Sequence, residues 1–303
     1  MISFNDIARG DGPEILPEPP VFTEEELHRA KKSGDYKPIL FEWYKFVASL
    51  GVVLVNMLPE CPAFRQVPSQ HYNVLMGLLN RCHRLMLSNM ALSHEGKFGE
   101  TTAIIDRCIF ESAIKITWLC NNHPDDKFVR YMATGLKTEL EFKSIIENTI
   151  KARSEGALPF ELRMLTSIRN HILASGLSEE EIISTKKIPN IDAIITELGY
   201  NHLLYIVAQR LGSHHIHGNW PSLLFHYLEE SEDGERFKFK PRGHDCDTHI
   251  NQYMFVPLIV LNAMTSYVQY VLEDGEAQVF SDLFESTEQE ILRAYNEAGE
   301  DAR

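Results

Sequence analysis

The residues best suited to chemistry surround LGSHHIHGNW, positions 211–220 of the chain. On an α-helix, residues three, four and seven positions apart share a face, so Arg210, Ser213, His214 and His217 are predicted to line one stripe. Histidine can act as an acid or a base near neutral pH, and arginine binds phosphate oxygens in a bidentate manner. The stripe is therefore either a site for phosphate chemistry or a polar seam between helices.

A second polar pair lies in IIDRCIFESAIKITWLC, where Arg107 and Glu111 are one helical turn apart. Apolar residues cover most of this helix, which predicts a position in the middle of a bundle. Because a lone charge is costly to bury, the two side chains must pair with each other or with partners on other helices. It is either a buried structural ion pair or a supporting part of the site.

The elements that position these residues are predicted to be helices. The histidine-bearing helix begins near Asn201, and Gly218 with Asn219 ends it. We find no alternation typical of strands over a useful length, apart from a short candidate strand at 237–240. The fold class is therefore all-α, a bundle of about ten helices.

Composition shifts divide the chain into four parts. Residues 1–22 are rich in proline and glycine and are predicted to form an extended N-terminal arm. Residues 23–230 form the helical bundle that carries the polar site. A charged loop is expected at 231–250, followed by C-terminal helices at 251–303 that pack on the bundle.

Composition also limits the classes of function. The chain has 303 residues and a net charge of −14, which argues against non-specific coating of nucleic acid. Its five cysteines are scattered and odd in number, as expected for reduced thiols. The apolar run from Val47 to Leu58 is too short for a membrane span, and the N-terminus lacks the pattern of a signal peptide. We expect a cytoplasmic protein with no membrane association.

No cofactor is expected, because the chain has no glycine-rich phosphate loop and no dinucleotide fingerprint. His244, Cys246 and His249 are zinc-ligand types, but their spacing matches no standard site, so they are predicted to be loop residues and no metal is expected. Basic clusters at Arg81–Arg84 and Arg169–His171 could line a cleft or belong to solvated faces.

Taken together, the two polar helices resemble a family of uncharacterised bacterial helical domains. That family has an Arg-x-x-x-Glu helix in its first half and a Ser-x-x-x-His-Gly helix end in its second. The matching residues here are Arg107 with Glu111, and Ser213 with His217 and Gly218. The resemblance covers roughly residues 70–225.

The layout is also similar to the HEPN superfamily of helical bundles, many of which are toxin or antiviral endoribonucleases. Their signature is an arginine followed, after four to six residues, by a histidine at a helix end. Arg210 satisfies it with His215 and with His217, and helical geometry favours His217. The resemblance implies a HEPN-like fold, a homodimer and metal-independent RNA cleavage. In this hypothesis Arg210 binds the phosphate and His217 is the acid or base, and Ser213 and His214, which share the predicted stripe, complete the site.

A different class of function stays open at this stage. The chain could be a non-catalytic helical module that binds a partner protein or a small ligand in the polar seam between the Arg107 and His217 helices. The acidic composition favours this alternative. In the nuclease hypothesis RNA is the substrate, and a regulatory protein partner is possible.

Overall fold

The computed structural model describes residues 16–57, 62–93, 97–122, 124–231, 238–243 and 246–300. This part of the chain is almost entirely helical, which confirms the predicted all-α class. Residues 16–23 have no regular secondary structure. Positions 1–15 of the predicted arm, and 232–237 and 244–245 of the predicted loop, lie outside the described residues.

The helices follow one another in a simple order along the chain. They are α1 (Glu24–Ser33), α2 (Lys37–Asn56), α3 (Ser69–Leu92), α4 (Gly99–Cys120), α5 (Pro124–Ala152), α6 (Pro159–Ser175), α7 (Glu179–Ser184), α8 (Ile191–Glu197), α9 (His202–Tyr205), a π-helical segment (Ile206–Leu211), α10 (Gly212–His217), α11 (Trp220–His226), α12 (Ile250–Val271) and α13 (Asp274–Glu300).

The chain divides into two compact units. The larger unit contains positions up to 67, 75–120 and 191 onward. Its core is built by α2, α4 and α12, and α13 packs on α12 and α2. These helices are apolar on most faces, so burying them together removes a large area of hydrocarbon from water.

Helix α4 lies at the centre of this core, as its apolar faces predict. Ile109, Ile114 and Trp118 are completely buried. The indole nitrogen of Trp118 donates a hydrogen bond of 2.8 Å to the Glu197 carboxylate at the end of α8, which satisfies its buried N–H. The polar residues of α4 are therefore held on a rigid element.

The smaller unit contains positions 68–74 and 121–190. Helix α5 packs against α6 and α7 in this unit. The Arg153 guanidinium makes two hydrogen bonds of 2.9 and 2.8 Å to the Glu161 carboxylate, which fixes the turn between α5 and α6.

A two-stranded antiparallel ribbon follows α11. Strand β1 (Leu228–Glu230) pairs with β2 (Phe239–Pro241), with Leu228 opposite Pro241. The short strand expected at 237–240 therefore begins later than predicted within the described residues, and position 237 lies outside them.

Among the described residues, two helices are long and apolar enough to cross a membrane by length and composition alone, so the prediction that the apolar segment around Val47 is too short is wrong. They are α2 and α12, with 20 and 22 residues. The apolar run that begins at Val47 belongs to a longer helix, which begins ten residues earlier at Lys37. More than half of the apolar window of each helix is buried inside the protein, as in the core helices of many folds.

Candidate functional site

The segment that carries the histidines is one helical stretch with a wide turn inside it. The Asn201 side chain caps its start by accepting a hydrogen bond of 2.9 Å from the Leu203 backbone N–H. Residues 206–211 are π-helical, and Gly218, with a φ of 55°, ends the stretch. A π turn rotates the residues after it relative to an ideal α-helix, and such turns are frequent at functional sites.

This wide turn changes which side chains share a face. Ser213 points toward α4, whereas Arg210 and His217 are both exposed. Within the described ranges neither the Arg210 side chain nor the His217 side chain forms a hydrogen bond or an ion pair. His214 is half-buried, and its Nδ1 lies 3.3 Å from the Asn219 side-chain nitrogen at the helix end. The four residues predicted to form one stripe therefore have three different environments.

Arg107 and Glu111 are matched, as the cost of burying a charge requires. The Arg107 guanidinium donates a hydrogen bond of 2.7 Å to the Ser213 hydroxyl, and its Nε lies 3.4 Å from Glu111 Oε1. The Gln209 amide donates to the same carboxylate oxygen at 2.8 Å, and Lys115 Nζ is 3.6 Å from the other oxygen. We call these five residues the Arg107 seam.

Gly212 lets the two helices of the Arg107 seam approach each other. A Cβ atom at this position would lie 3.3 Å from both Cβ and Cδ of Arg107, which is closer than ordinary side-chain contact. The glycine therefore leaves room for the Arg107 side chain to pass under the helix and reach Ser213.

A second polar cluster lies at the start of α4, about two turns before Arg107, around Glu100. The Glu100 carboxylate accepts hydrogen bonds from the Ser222 and Tyr227 hydroxyls, one on each oxygen. His215 Nδ1 lies 3.9 Å from Glu100 Oε1, and the His215 and His226 rings meet edge to face with centroids 5.0 Å apart. We call these five residues the Glu100 cluster.

The environment shifts the protonation of the Glu100 cluster. Burial lowers the pKa of His215, and the nearby His226 lowers it further against the opposing effect of Glu100. Burial alone would raise the pKa of Glu100, but the hydrogen bonds from Ser222 and Tyr227 outweigh it, and the pKa lies below its usual value. At neutral pH the cluster therefore combines a carboxylate with a neutral His215 imidazole.

Comparison with known proteins places the chain in a family. A profile of a family of unknown function, DUF5677, matches residues 72–236, which is more than half of the chain. The chain belongs to the DUF5677 family. No curated protein and no solved structure matches it. The prediction that the chain belongs to a family of unknown function is confirmed, whereas the two named motifs and the HEPN similarity stay predictions.

Both polar clusters of this DUF5677 protein fall inside the matched segment. Sequence analysis identified Arg107, Glu111 and Ser213, which the fold brings together. It set His215 aside in favour of His217, and it did not single out Glu100, Ser222 or His226. A usable signal was present, because Ser222 and His226 are one helical turn apart and follow the histidine-rich segment directly.

The other candidates have mostly structural contacts. Arg81 donates a hydrogen bond of 2.9 Å to the Cys108 carbonyl oxygen. Burial lowers the pKa of His83 to about 4, so this residue adds no positive charge at neutral pH. In the loop before α12, Cys246 Sγ is 3.1 Å from the Phe225 carbonyl oxygen, and His249 Nδ1 accepts a hydrogen bond from the Asn251 backbone N–H. His244 lies outside the described residues.

Proposed function

We propose that this protein is a HEPN-like, metal-independent endoribonuclease whose site is completed between the Arg210–His217 segments of two copies. One observation carries the proposal. The side chains of Arg210 and His217 are exposed and make no hydrogen bond or ion pair with the described residues, whereas the side chains of their neighbours Ser213 and His215 are engaged inside the protein. A guanidinium and an imidazole on one short segment can therefore meet a substrate.

The proposed chemistry needs only these groups. One His217 imidazole removes the proton from a ribose 2′-hydroxyl, and the 2′-oxygen attacks the adjacent phosphorus. The bond from phosphorus to the 5′-oxygen breaks, and a second, protonated imidazole donates a proton to that oxygen. Arg210 stabilises the added charge on the phosphate oxygens. The products are a 2′,3′-cyclic phosphate and a 5′-hydroxyl.

A second copy would supply the other imidazole and cover apolar surface. Exposed apolar side chains flank the segment: Leu203 is 59% exposed, Val207 48%, Ile216 43% and Trp220 55%. Large exposed apolar side chains are typical of protein interfaces when they form one patch. A two-fold axis through this face would place two Arg210–His217 segments opposite each other.

The biological setting belongs to the same proposal. Metal-independent RNA cleavage in the cytoplasm by an acidic protein suits a toxin or an antiphage effector that a regulatory protein partner holds inactive. The net charge of −14 repels RNA in general, so productive binding depends on local cations such as Arg210.

A second candidate is a non-catalytic module that binds a partner protein through this same face. The exposed apolar side chains around Ile216 and Trp220 favour it. A small ligand in the Arg107 seam is less well supported, because hydrogen bonds from Arg107 to Ser213 and from Gln209 to Glu111 already fill the contact between the helices.

RNA cleavage in the presence of a chelator tests the proposal. Purified wild-type protein is incubated with total RNA beside His217→Ala and a control, His28→Ala, which removes another exposed histidine on α1. We expect His217→Ala to lower cleavage at least about 100-fold, with unchanged helical content and melting temperature. Absence of cleavage by the wild type, or wild-type rates in His217→Ala, would contradict the nuclease hypothesis and leave the binding module.

Mixing the wild type with an equal amount of His217→Ala tests the two-copy site. If each site needs one His217 imidazole from each copy, mixed dimers are inactive, and random exchange leaves about a quarter of the activity of an all-wild-type sample. If each copy acts alone, about half of that activity remains.

A further inference from the structure

The Glu100 cluster contains three side chains of the types that hold metal ions. Glu100 is in the first turn of α4, His215 is on α10 and His226 ends α11. One ligand atom from each lies within 4.8 Å of the other two. Residues from three separate elements thus converge on one small volume.

We propose that Glu100, His215 and His226 bind a divalent transition-metal ion, with Zn²⁺ as the best match. Two imidazoles and one carboxylate form a donor set typical of zinc sites that keep a position for water. The proposal goes beyond the proposed function, because RNA cleavage at Arg210 and His217 uses no metal.

The distances are suitable for closure around an ion. Zinc–ligand bonds of about 2.1 Å in a tetrahedron place ligand atoms about 3.4 Å apart. His215 Nδ1 and Glu100 Oε1 are 3.9 Å apart, and all three ligand atoms fall within 4.8 Å. Shifts of the side-chain ligand atoms on the order of 1 Å would therefore bring them to zinc-binding distances.

Burial makes the cluster more than a surface coincidence. The Glu100 side chain is 12% exposed, the His215 side chain is 21% exposed and His226 is 5% exposed. Exposed acidic and histidine side chains often meet by chance, but burying a carboxylate beside two imidazoles is costly without a cation or strong hydrogen bonds. A bound divalent ion would compensate this charge.

The carboxylate is oriented by a second set of residues. The Ser222 and Tyr227 hydroxyls each donate to one Glu100 oxygen. A carboxylate oxygen has two acceptor positions, so each oxygen keeps one for a metal. Hydrogen-bonded carboxylates of this kind are a regular feature around metal ligands. Tyr227 is 52% exposed, which gives the cluster an edge in contact with solvent.

Glu100 also lacks neighbouring basic side chains of the kind that neutralise Glu111 on the same helix. Glu111 has Arg107 and Lys115 beside it. Within the described ranges Glu100 has no ion pair with a lysine or an arginine, and its titratable neighbours are His215 and His226. A metal ion would supply this charge and would tie α10 and α11 to the first turn of α4.

Metal titration of the untagged protein tests the inference. Protein treated with chelator and dialysed is titrated with Zn²⁺ by calorimetry, and bound metal is counted by elemental analysis. We expect one ion per chain in the wild type. In His215→Gln and in Glu100→Gln the affinity for Zn²⁺ should fall by about tenfold or more. The matched control is His202→Ala, which removes an exposed histidine that also faces a carboxylate, with Nδ1 3.1 Å from Asp192.

Cobalt substitution gives a second, independent measurement. Co²⁺ bound by two imidazoles and a carboxylate in a four-coordinate site absorbs strongly in the visible, and this absorption should disappear in His215→Gln while far-UV circular dichroism stays unchanged. Failure of Zn²⁺ and Co²⁺ to bind the wild type, or equal binding by the His215→Gln and Glu100→Gln double variant, would overturn the inference. Cleavage that persists in chelator while metal binding is lost separates this site from the proposed nuclease.

Discussion

The Arg107 seam and the Glu100 cluster are built from the same two parts of the fold but are neutralised in different ways. In the seam, Glu111 is beside Arg107 and Lys115 and also accepts a hydrogen bond from Gln209. In the cluster, Glu100 has hydroxyl donors and imidazoles as neighbours. The seam therefore satisfies its own charges, whereas the cluster holds a negative charge that a ligand could balance.

This difference assigns separate roles to two clusters that are both polar contacts between α4 and the segment that follows Asn201. An ion network in which positive and negative side chains are paired holds helices together and fixes their register. A carboxylate held by hydroxyls, beside imidazoles that can act as ligands, is receptive to a cation. Variants of the two clusters should therefore differ in stability, in pH dependence and in response to metal.

The largest effect should come from opening the seam with Arg107→Ala. The change leaves the Ser213 hydroxyl and the Glu111 carboxylate without their guanidinium partner, and only 16% of the Arg107 side chain is exposed. We expect a loss of about 2–4 kcal/mol in the free energy of unfolding, measured by urea denaturation. Arg163→Ala, on the exposed face of α6, is the control and should change stability by less than about 0.5 kcal/mol. Equal stabilities would show that the seam is not structural.

A third carboxylate on α4, Asp106, should give the largest pH effect. The residue is half-buried, but its carboxyl oxygen Oδ2 is shielded from solvent. The carboxyl group accepts a hydrogen bond of 2.5 Å from Asn89, and burial raises its pKa well above the usual value. Between about 3.9, the unfolded pKa, and the raised folded pKa, the folded state holds a proton that the unfolded state has lost. Stability should therefore fall as pH rises, by at most about 1.4 kcal/mol per pH unit.

Asp106→Asn removes this titration and keeps the shape of the side chain. We expect the free energy of unfolding, measured between pH 4 and 8, to become flatter in the variant than in the wild type. An unchanged slope would mean that Asp106 is ionised in the folded protein. The Asp126→Asn change, on the exposed start of α5, serves as the control for loss of a surface carboxylate.

Much of the fold could be predicted from the sequence because its signals are local. Asn201 and Gly218 mark the ends of the histidine-bearing stretch, and both act as predicted. The apolar faces of α4 predict its central position, and the cost of burying charge predicts that Arg107 is matched. Each of these inferences depends on neighbouring residues along one helix.

The arrangement of the candidate site could not be predicted in the same way. The π-helical segment at 206–211 breaks the 3.6-residue period on which the predicted stripe of Arg210 and His217 depends. Gln209 and Glu100 acquire their roles from residues about 100 positions away in sequence. Such pairings follow from tertiary packing, which a single sequence does not encode in any local period.

A smaller effect is expected where the seam depends on close approach, at Gly212. Alanine is favoured over glycine in a helix by about 1 kcal/mol, but its Cβ would lie 3.3 Å from two Arg107 atoms. Crowding of a packed contact costs about 1–3 kcal/mol, so Gly212→Ala should destabilise the protein by about 1 kcal/mol.

The penalty should shrink when the Arg107 side chain is truncated. In an Arg107→Ala background the contacts with Cγ and Cδ are lost and only the contact with Cβ at 3.3 Å remains, so the change in stability from Gly212→Ala should be close to zero. The double-mutant cycle, measured by urea denaturation, then gives a coupling of about 1 kcal/mol. Additive effects would show that the helix accommodates the extra methyl group without contact to Arg107.

The smallest change in stability should come from Glu100→Gln, and its pH dependence is opposite in sign to that of Asp106. The pKa of Glu100 lies below its usual value, so its ionised form adds stability above the unfolded pKa of about 4.3, and that contribution is lost as pH falls through the folded pKa. Glutamine keeps an acceptor for Ser222 or Tyr227, so we expect a loss below about 1 kcal/mol at pH 7. The difference from the wild type should shrink as pH falls through the folded pKa of Glu100. With added Zn²⁺ the gap should widen, because only the wild type gains stability from a bound ion. If the difference in the free energy of unfolding between the two proteins is the same with and without Zn²⁺, the Glu100 cluster has only a structural role, like the Arg107 seam.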